Sequence, residues 1–357
     1  MSDSLAPVIH SVTQTLPEHF APQEEITAWF KKLWAEKYFN VARLEDIHKN
    51  TKVGSRYLSV PLSELERMRN SFAERNNTFI KCATDIGEKA IREALTRAEL
   101  TPKDVDHIFF VTVTGLATPS IDARLVNRLG LRPDVKRTPI WGLGCVAGAA
   151  GLARAADYLR AYPNSTVVLL SVELCVLTYQ LTDLSVANVI TGGLFGDGAS
   201  AVVLRGANVA RGKGPRIVSS RACFYPESEW VMGWDIVDTG FKIILSPQVP
   251  EMVRKHFRGN VDEFLTSQGL DRSKIQHWLL HSGGPKVLQA FESTLELPKN
   301  ALARTWKSLE EVGNLSSSSV LFVLADMLAS GEAKPGDYGL LAAMGPGFCS
   351  EMVLLQW

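Results

Sequence analysis

Three residues of this 357-residue chain join a reactive side chain to a setting that exposes it: Cys145, His281 and Asn314. Cys145 follows Trp141-Gly142-Leu143-Gly144 and precedes Val146-Ala147-Gly148, where a Gly-rich turn opens an Ala-rich helix. Unpaired backbone N–H groups and the positive helix end there favour a thiolate. His281 ends an apolar run and is followed by Ser282-Gly283-Gly284-Pro285, a sharp turn that exposes the imidazole at a strand's carboxyl end, where α/β sheets place ligands. None of the other histidines (His10, His19, His48, His107, His256, His277) has such a setting. Asn314 stands between Gly313 and Leu315-Ser316-Ser317-Ser318-Ser319. A nucleophilic cysteine needs a base and a donor for the oxyanion, and an imidazole and a carboxamide supply both. Each residue alone also has a structural reading: a small buried hydrophobe, a satisfied histidine, a helix N-cap.

What would bring them together is a repeat. A helix-period stretch Ile86 to Leu95 precedes an apolar strand Val105 to Val113, the Cys145 turn opens a helix to about Leu159, and a strand Thr166 to Ser171 closes the copy. A second copy runs from a helical stretch at Val261 to Leu265 through a strand Ile275 to His281, then a helix Ser318 to Leu328 after Asn314, and a strand Tyr338 to Ala343. Short apolar strands bounded by Gly, Asp or Pro suit burial between helix layers. If the copies pack about a pseudo-twofold axis, the Cys145 and Asn314 helix openings converge. The expected units are residues 1–208, carrying the cysteine, and 209–357, carrying the histidine and asparagine.

Composition narrows the function. Lys plus Arg equals Asp plus Glu at 38 each, which argues against nucleic-acid or membrane-surface binding through bulk charge. No apolar run approaches the roughly 18 residues that span a bilayer. Met1-Ser2-Asp3-Ser4 lacks a basic segment followed by an apolar one, so it does not read as a secretory signal. Cys82, Cys145, Cys175, Cys223 and Cys349 are odd in number and form no CxxC pair, fitting neither a disulfide framework nor a metal site. A reducing cytoplasm is the expected setting.

Gly144-Cys145 with its Ala-rich helix, Ser171-Val172-Glu173-Leu174-Cys175, Leu194-Phe195-Gly196-Asp197-Gly198-Ala199, His281-Ser282-Gly283-Gly284-Pro285, Gly313-Asn314-Leu315-Ser316-Ser317 and Gly345-Pro346-Gly347 together resemble the type III polyketide synthases, the chalcone-synthase-like family, over nearly the whole chain. The resemblance implies a thiolase fold of two pseudo-repeated halves in an αβαβα sandwich, a homodimer, malonyl-CoA and acyl-CoA substrates, no carrier protein and no cofactor. Cys145 would take the starter acyl group, and His281 and Asn314 would stabilise the enolate left as malonyl-CoA loses CO₂. Phe195 matches the family's gatekeeping aromatic.

By position, Thr114, Cys175, Thr178, Trp234, Ile243 and Ser316, with Gly345, Pro346 and Gly347, match cavity residues of relatives. Trp234 replaces a glycine of plant enzymes and Ile243 an aromatic. Ala343-Met344 stands where plant enzymes have Gly-Phe. The segment Met232 to Phe241 is similar to alkylpyrone- and alkylresorcinol-forming bacterial enzymes, which implies a medium or long fatty acyl-CoA starter. Arg43, Lys49 and Lys52 lie near the family's CoA-phosphate contacts, though a solvated charged face explains them equally. The enzyme alternative is a ketoacyl-acyl-carrier-protein synthase III-like single condensation; the non-catalytic one is an acyl-binding scaffold.

Overall fold

The computed structural model describes residues 5–35, 41–210 and 214–357, and side chains from residue 43 on in the second stretch. Met1-Ser2-Asp3-Ser4, on which the reading of the N-terminus rests, lie outside the described residues.

The repeat read from the sequence is visible as a strand order that occurs twice. In the first half His107–Thr112, Thr166–Leu174, Asp197–Arg205 and Val8–Val12 lie side by side, paired parallel, antiparallel and antiparallel. In the second, Ile275–Leu280, Tyr338–Gly345, Cys349–Gln356 and Arg216–Phe224 repeat that order and those pairings. Lys136–Trp141 adds a parallel edge strand to the first half, and the half-sheets meet at the pair Val8↔Arg216. The joint between the ladders is small, so the layer between them carries the association.

That layer is the helix pair Ala147–Ala161 and Ser319–Ser330, buried along most of their lengths. Their side chains share one apolar cluster with strands of both halves, among them Val111, Leu169, Leu341 and Val353. A helix apolar all round is a core helix. The first half's outer face is covered by Phe72–Arg97, whose buried side includes the predicted stretch from Ile86 to Leu95, and the second half's by Arg258–Ser267 and Pro285–Leu295. The layers therefore alternate helix, sheet, helix, sheet, helix. Each central strand is buried on both faces, which is why it reads as a continuous apolar run. No helix among the described residues is long and apolar enough to cross a membrane.

Of the boundaries that differ from the sequence reading, two lie next to the site. The strand Ile275–Leu280 stops one residue before His281, and Cys145 lies in a 3-10 turn, Gly144–Val146, with the α-helix opening at Ala147. The second 3-10 turn, Ser316–Ser318, precedes the Ser319 helix and touches the first. Gly148 makes this approach possible: a Cβ there would stand 2.2 Å from the Ser317 carbonyl oxygen.

Gly148→Ala is therefore expected to lower the urea midpoint at an unchanged m-value, by about 1–3 kcal/mol of overpacking. A wild-type midpoint would show that the two turns can part freely.

Candidate functional site

The two 3-10 turns and one strand end carry the three residues to a common place. Cys145 is buried, and its Sγ donates to Ser316 Oγ at 3.6 Å. Ser316 has φ 49° and its backbone N–H donates to Asn314 Oδ1 at 2.8 Å, with Ser319 Oγ donating to the same oxygen at 3.4 Å. Asn314 therefore braces the turn from the residue before its N-cap, Leu315, and is not itself the N-cap that its structural reading requires. The bracing also fixes the amide plane: with Oδ1 engaged, Nδ2 faces the His281 turn, 3.5 Å from the Gly283 carbonyl oxygen. His281 continues the strand pairing by donating its N–H to Ala342 O at 3.0 Å, and its carbonyl accepts from Gly283 N at 2.9 Å. Its Nδ1 is buried without a hydrogen-bond partner.

Phe195 completes the group through its backbone. The main chain around it exchanges hydrogen bonds with Asn314, Gly196 N to Asn314 O at 3.0 Å and Asn314 N to Leu194 O at 2.9 Å. Its own carbonyl accepts from Arg56 Nη1 at 2.8 Å and Tyr179 Oη at 2.7 Å. Arg56 is fully buried and also donates to Gln23 Oε1 and Gly192 O, so it ties the N-terminal region to this junction.

The electrostatics depart from the expected thiolate. Burial pushes the Cys145 thiol up to about 12, with the Glu173 carboxylate adding to the rise and the Ser316 hydrogen bond opposing it. Burial also brings His281 down to about 4. No hydrogen bond joins Cys145 to His281 in this arrangement, because the thiol is turned to Ser316. The helix end is too weak to offset complete desolvation: a macrodipole contributes at most about 2 kcal/mol, less than the penalty of ionising a sulfur in a dry site.

Glu173 was quoted in the sequence only as part of a motif, yet it is fully buried beside the thiol. It accepts from Thr114 Oγ1 at 2.9 Å, Val113 N at 3.1 Å, Thr112 Oγ1 at 3.3 Å and from Ser317 Oγ. Burial is the main cause that raises its carboxyl to about 7, against these hydrogen bonds. The signal that could have found it is a glutamate inside a strand that is apolar around it except for Ser171, Val167 to Leu174.

A narrow cavity opens beside Cys145. Seven of the nine positions matched from relatives line it: Thr114, Cys175, Thr178, Trp234, Ile243, Ser316 and Pro346, together with Cys145 and Phe195. Met232, Leu245, Asn188 and Thr191 also line it and were not anticipated. Gly345 and Gly347 do not, which corrects the expectation. Gly345 instead lets the backbone pass Val146, where a Cβ would stand 2.7 Å from its nitrogen, and Gly347 packs against Phe224. The cavity is narrow, about 40 Å³. Arg43, Lys49 and Lys52 are exposed and none lines the cavity. Among the described residues no group of three or more His, Cys, Asp or Glu could hold a metal ion.

Residues 3–208 match the family model for the chalcone and stilbene synthase N-terminal domain, and residues 216–357 the C-terminal one. A 1,3,6,8-tetrahydroxynaphthalene synthase of Streptomyces peucetius subsp. caesius is 44% identical over 98% of this chain and 93% of its own. A 3,5-dihydroxyphenylacetyl-CoA synthase of Streptomyces toyocaensis is 35% identical over 88% and 83%. The crystal structure of the tetrahydroxynaphthalene synthase of Streptomyces coelicolor A3(2), a bacterial type III polyketide synthase, superposes with a TM-score of 0.92 at 30% identity over 98% of this chain and 99% of that one.

The buried carboxyl yields a pH prediction. Glu173 stays protonated up to about pH 7 in the folded chain but ionises near 4.5 when unfolded, so the native state binds more protons between those values and loses stability as pH rises through them. Glu173→Gln cannot ionise. The wild type's stability relative to that variant, from urea unfolding, is expected to decline from pH 4.5 to 7; a difference flat across the window would mean an ordinary carboxyl.

Proposed function

The chain belongs to the chalcone and stilbene synthase family, the type III polyketide synthases, and from that membership we propose how its own residues run the chemistry and which starter they accept. It is an acyltransferase-type polyketide synthase of thiolase fold, acting on malonyl-CoA and CoA thioesters without a carrier protein or a cofactor.

Cys145 Sγ attacks the starter thioester, its proton passes to the His281 imidazole, and CoA leaves as the thiol. Malonyl-CoA then binds with its thioester carbonyl between His281 and Asn314 Nδ2. As CO₂ departs, the electron pair of the breaking C–C bond becomes an enolate whose oxygen these donors stabilise. The enolate carbon attacks the Cys145 thioester, the C–S bond breaks, and the extended chain is carried on CoA. The observation that carries this assignment is the run of contacts from Cys145 through Ser316 and Asn314 to Gly283. An imidazole brought down to about 4 is neutral at working pH and suits donation better than carrying a permanent charge. The opposite shifts of thiol and imidazole both favour the neutral pair at rest, so thiolate formation requires Sγ to turn toward His281, where the attraction of the two charges works against the desolvation of each.

For the starter, the reading best supported is malonyl-CoA itself, giving a small polyhydroxylated aromatic. The relatives' names describe rings with hydroxyls at alternate positions, the pattern left by head-to-tail two-carbon units. A narrow cavity suits a short starter. The second reading is the fatty acyl-CoA starter with an alkylpyrone or alkylresorcinol product, supported by the apolar wall of Met232, Trp234, Ile243 and Leu245.

Further parts of the proposal concern assembly. Units of 1–208 and 209–357 suit the recurrence of strand order. A homodimer suits the open edge strand Lys136–Trp141, where Trp141 is 45% exposed beside no further strand. Arg43, Lys49 and Lys52 would meet the CoA phosphates from the helix Val41–Asn50 and its following turn; that helix packs on Val186–Leu194, which contributes Asn188 and Thr191 to the cavity. A cytoplasmic location suits five free cysteines.

Incubation with labelled malonyl-CoA, alone and with acetyl- to lauroyl-CoA, is expected to give a polyhydroxyarene in every mixture; pyrones or resorcinols bearing the alkyl chain would favour the second reading, and a single ketoacyl product needing carrier protein would overturn the family-level activity for this chain. Cys145→Ala is expected to abolish covalent acylation in the mass spectrum, and Asn314→Ala to slow malonyl-CoA decarboxylation on the order of 10²- to 10³-fold. In His281→Ala the pH midpoint for Cys145 alkylation is expected to move up; coincident profiles would remove the imidazole from thiol activation.

A further inference from the structure

The cavity beside Cys145 is narrow, and the chain carried on that residue grows against its walls. How far each wall can yield therefore bears on how long that chain can become. Most of the walls are unsuited to yielding. Thr114, Cys145, Cys175 and Ser316 lie at ends of the nine-stranded sheet or in the buried turns of the middle layer.

One wall has a different construction. Met232–Val237 and Gly240–Leu245 form a two-stranded hairpin that pairs with no other strand among the described residues. Such a hairpin has little stability of its own. Met232 lies opposite Leu245 and Trp234 opposite Ile243, and all four line the cavity.

The hairpin's tip is clasped from outside the cavity. Thr239 Oγ1 donates to Gln180 Oε1 at 2.7 Å, and Gln180 Nε2 donates to Phe241 O at 3.0 Å and to Thr239 O at 3.3 Å. Arg75, also buried, donates to Thr239 O and, at 2.6 Å, to Tyr179 O. Gln180 follows directly on Cys175, Thr178 and Tyr179, which also line the cavity. The clasp thus ties the hairpin to a second lining segment, although neither Gln180 nor Thr239 lines the cavity itself. Beneath it the Phe241 ring meets Phe72, Trp234 and Trp141 with centroids 5.3, 5.9 and 6.2 Å away, so the hairpin stays attached by aromatic packing when the clasp opens.

We propose that the Gln180–Thr239 clasp is a specificity-determining element: closed, it confines the chain on Cys145 to a short one, and its release moves the Trp234–Ile243 wall outward to admit longer starters or further extensions. The inference rests on the assignment of Cys145 as the acyl carrier and on no particular product.

Two variants loosen the clasp from opposite sides, Gln180→Met by removing all three Gln180 hydrogen bonds and Thr239→Val by removing the hydroxyl's one, and Thr239→Ser restores the hydroxyl. The first readout is the rate of Cys145 acylation by decanoyl-CoA relative to acetyl-CoA, followed by mass spectrometry of the intact protein; the second is product length from labelled malonyl-CoA. Each opening variant is expected to raise the decanoyl to acetyl ratio on the order of fivefold, within what one hydrogen bond contributes, and to add longer products. Thr239→Ser keeps the wild-type ratio, and malonyl-CoA decarboxylation keeps its wild-type rate in all three. Unchanged ratios and products in a variant with the wild-type melting temperature would overturn the proposal, as would a shift equally large in the serine variant. A wild type that is acylated but releases no polyketide would sink the assigned function while the acylation ratio still decides the clasp. Loss of folding in one variant leaves the other to decide it.

Discussion

The site depends on how closely two buried turns can approach in the middle of the molecule. Gly144–Val146 and Ser316–Ser318 meet because Gly148 presents no side chain to the Ser317 carbonyl. That contact sets the thiol against Ser316, and Ser316 in turn holds the Asn314 carboxamide by its oxygen. The half-sheets contribute little to this directly, since their ladders touch at one residue pair. They act as walls that keep the Ala-rich helix Ala147–Ala161 pressed against the Leu- and Val-rich helix Ser319–Ser330, and interiors at native packing density transmit such constraints over several residues.

Under the turns lies polar material that an apolar core would not contain. Ser171 bridges Ser317 at 2.9 Å and Ser318 at 2.7 Å, and Glu173 gathers four further donors. Buried polar groups satisfied in this way specify one arrangement rather than many. The same burial leaves thiol, imidazole and Glu173 each inclined to its neutral form, so the resting pocket holds little charge. Substrate then meets hydrogen-bond donors already oriented, and the charge that develops on the thioester oxygen is the one they are placed to receive.

The repeat, four of its eight strands and the positions of Cys145, His281 and Asn314 were legible in the sequence because buried strands and core helices leave continuous apolar runs, and glycines mark where chains must pass closely; Val8–Val12, Asp197–Arg205, Arg216–Phe224 and Cys349–Gln356 were not read. Seven cavity positions followed from resemblance rather than from pattern. What could not be read was the state of the thiol, since a Gly-rich helix opening looks the same whether the site is wet or dry. The roles of Gly345 and Gly347 were obscured for a related reason: a glycine that frees space for a ligand and one that frees space for Val146 leave the same letter. Arg56 and the Gln180–Thr239 pair escaped notice because their partners are backbone carbonyls or residues far along the chain, which no local periodicity records.

The anchoring of Phe195 constrains entry to the cavity. Its carbonyl is held by Arg56 and Tyr179, its N–H by Thr191, and its neighbours by Asn314, yet its ring is only half-buried at the cavity wall. The main chain there has no freedom to swing aside, leaving torsion about the side-chain bonds as the sole available displacement. Passage past this aromatic therefore turns on rotation of a single ring that packs against the second half's core, not on displacement of the loop that carries it.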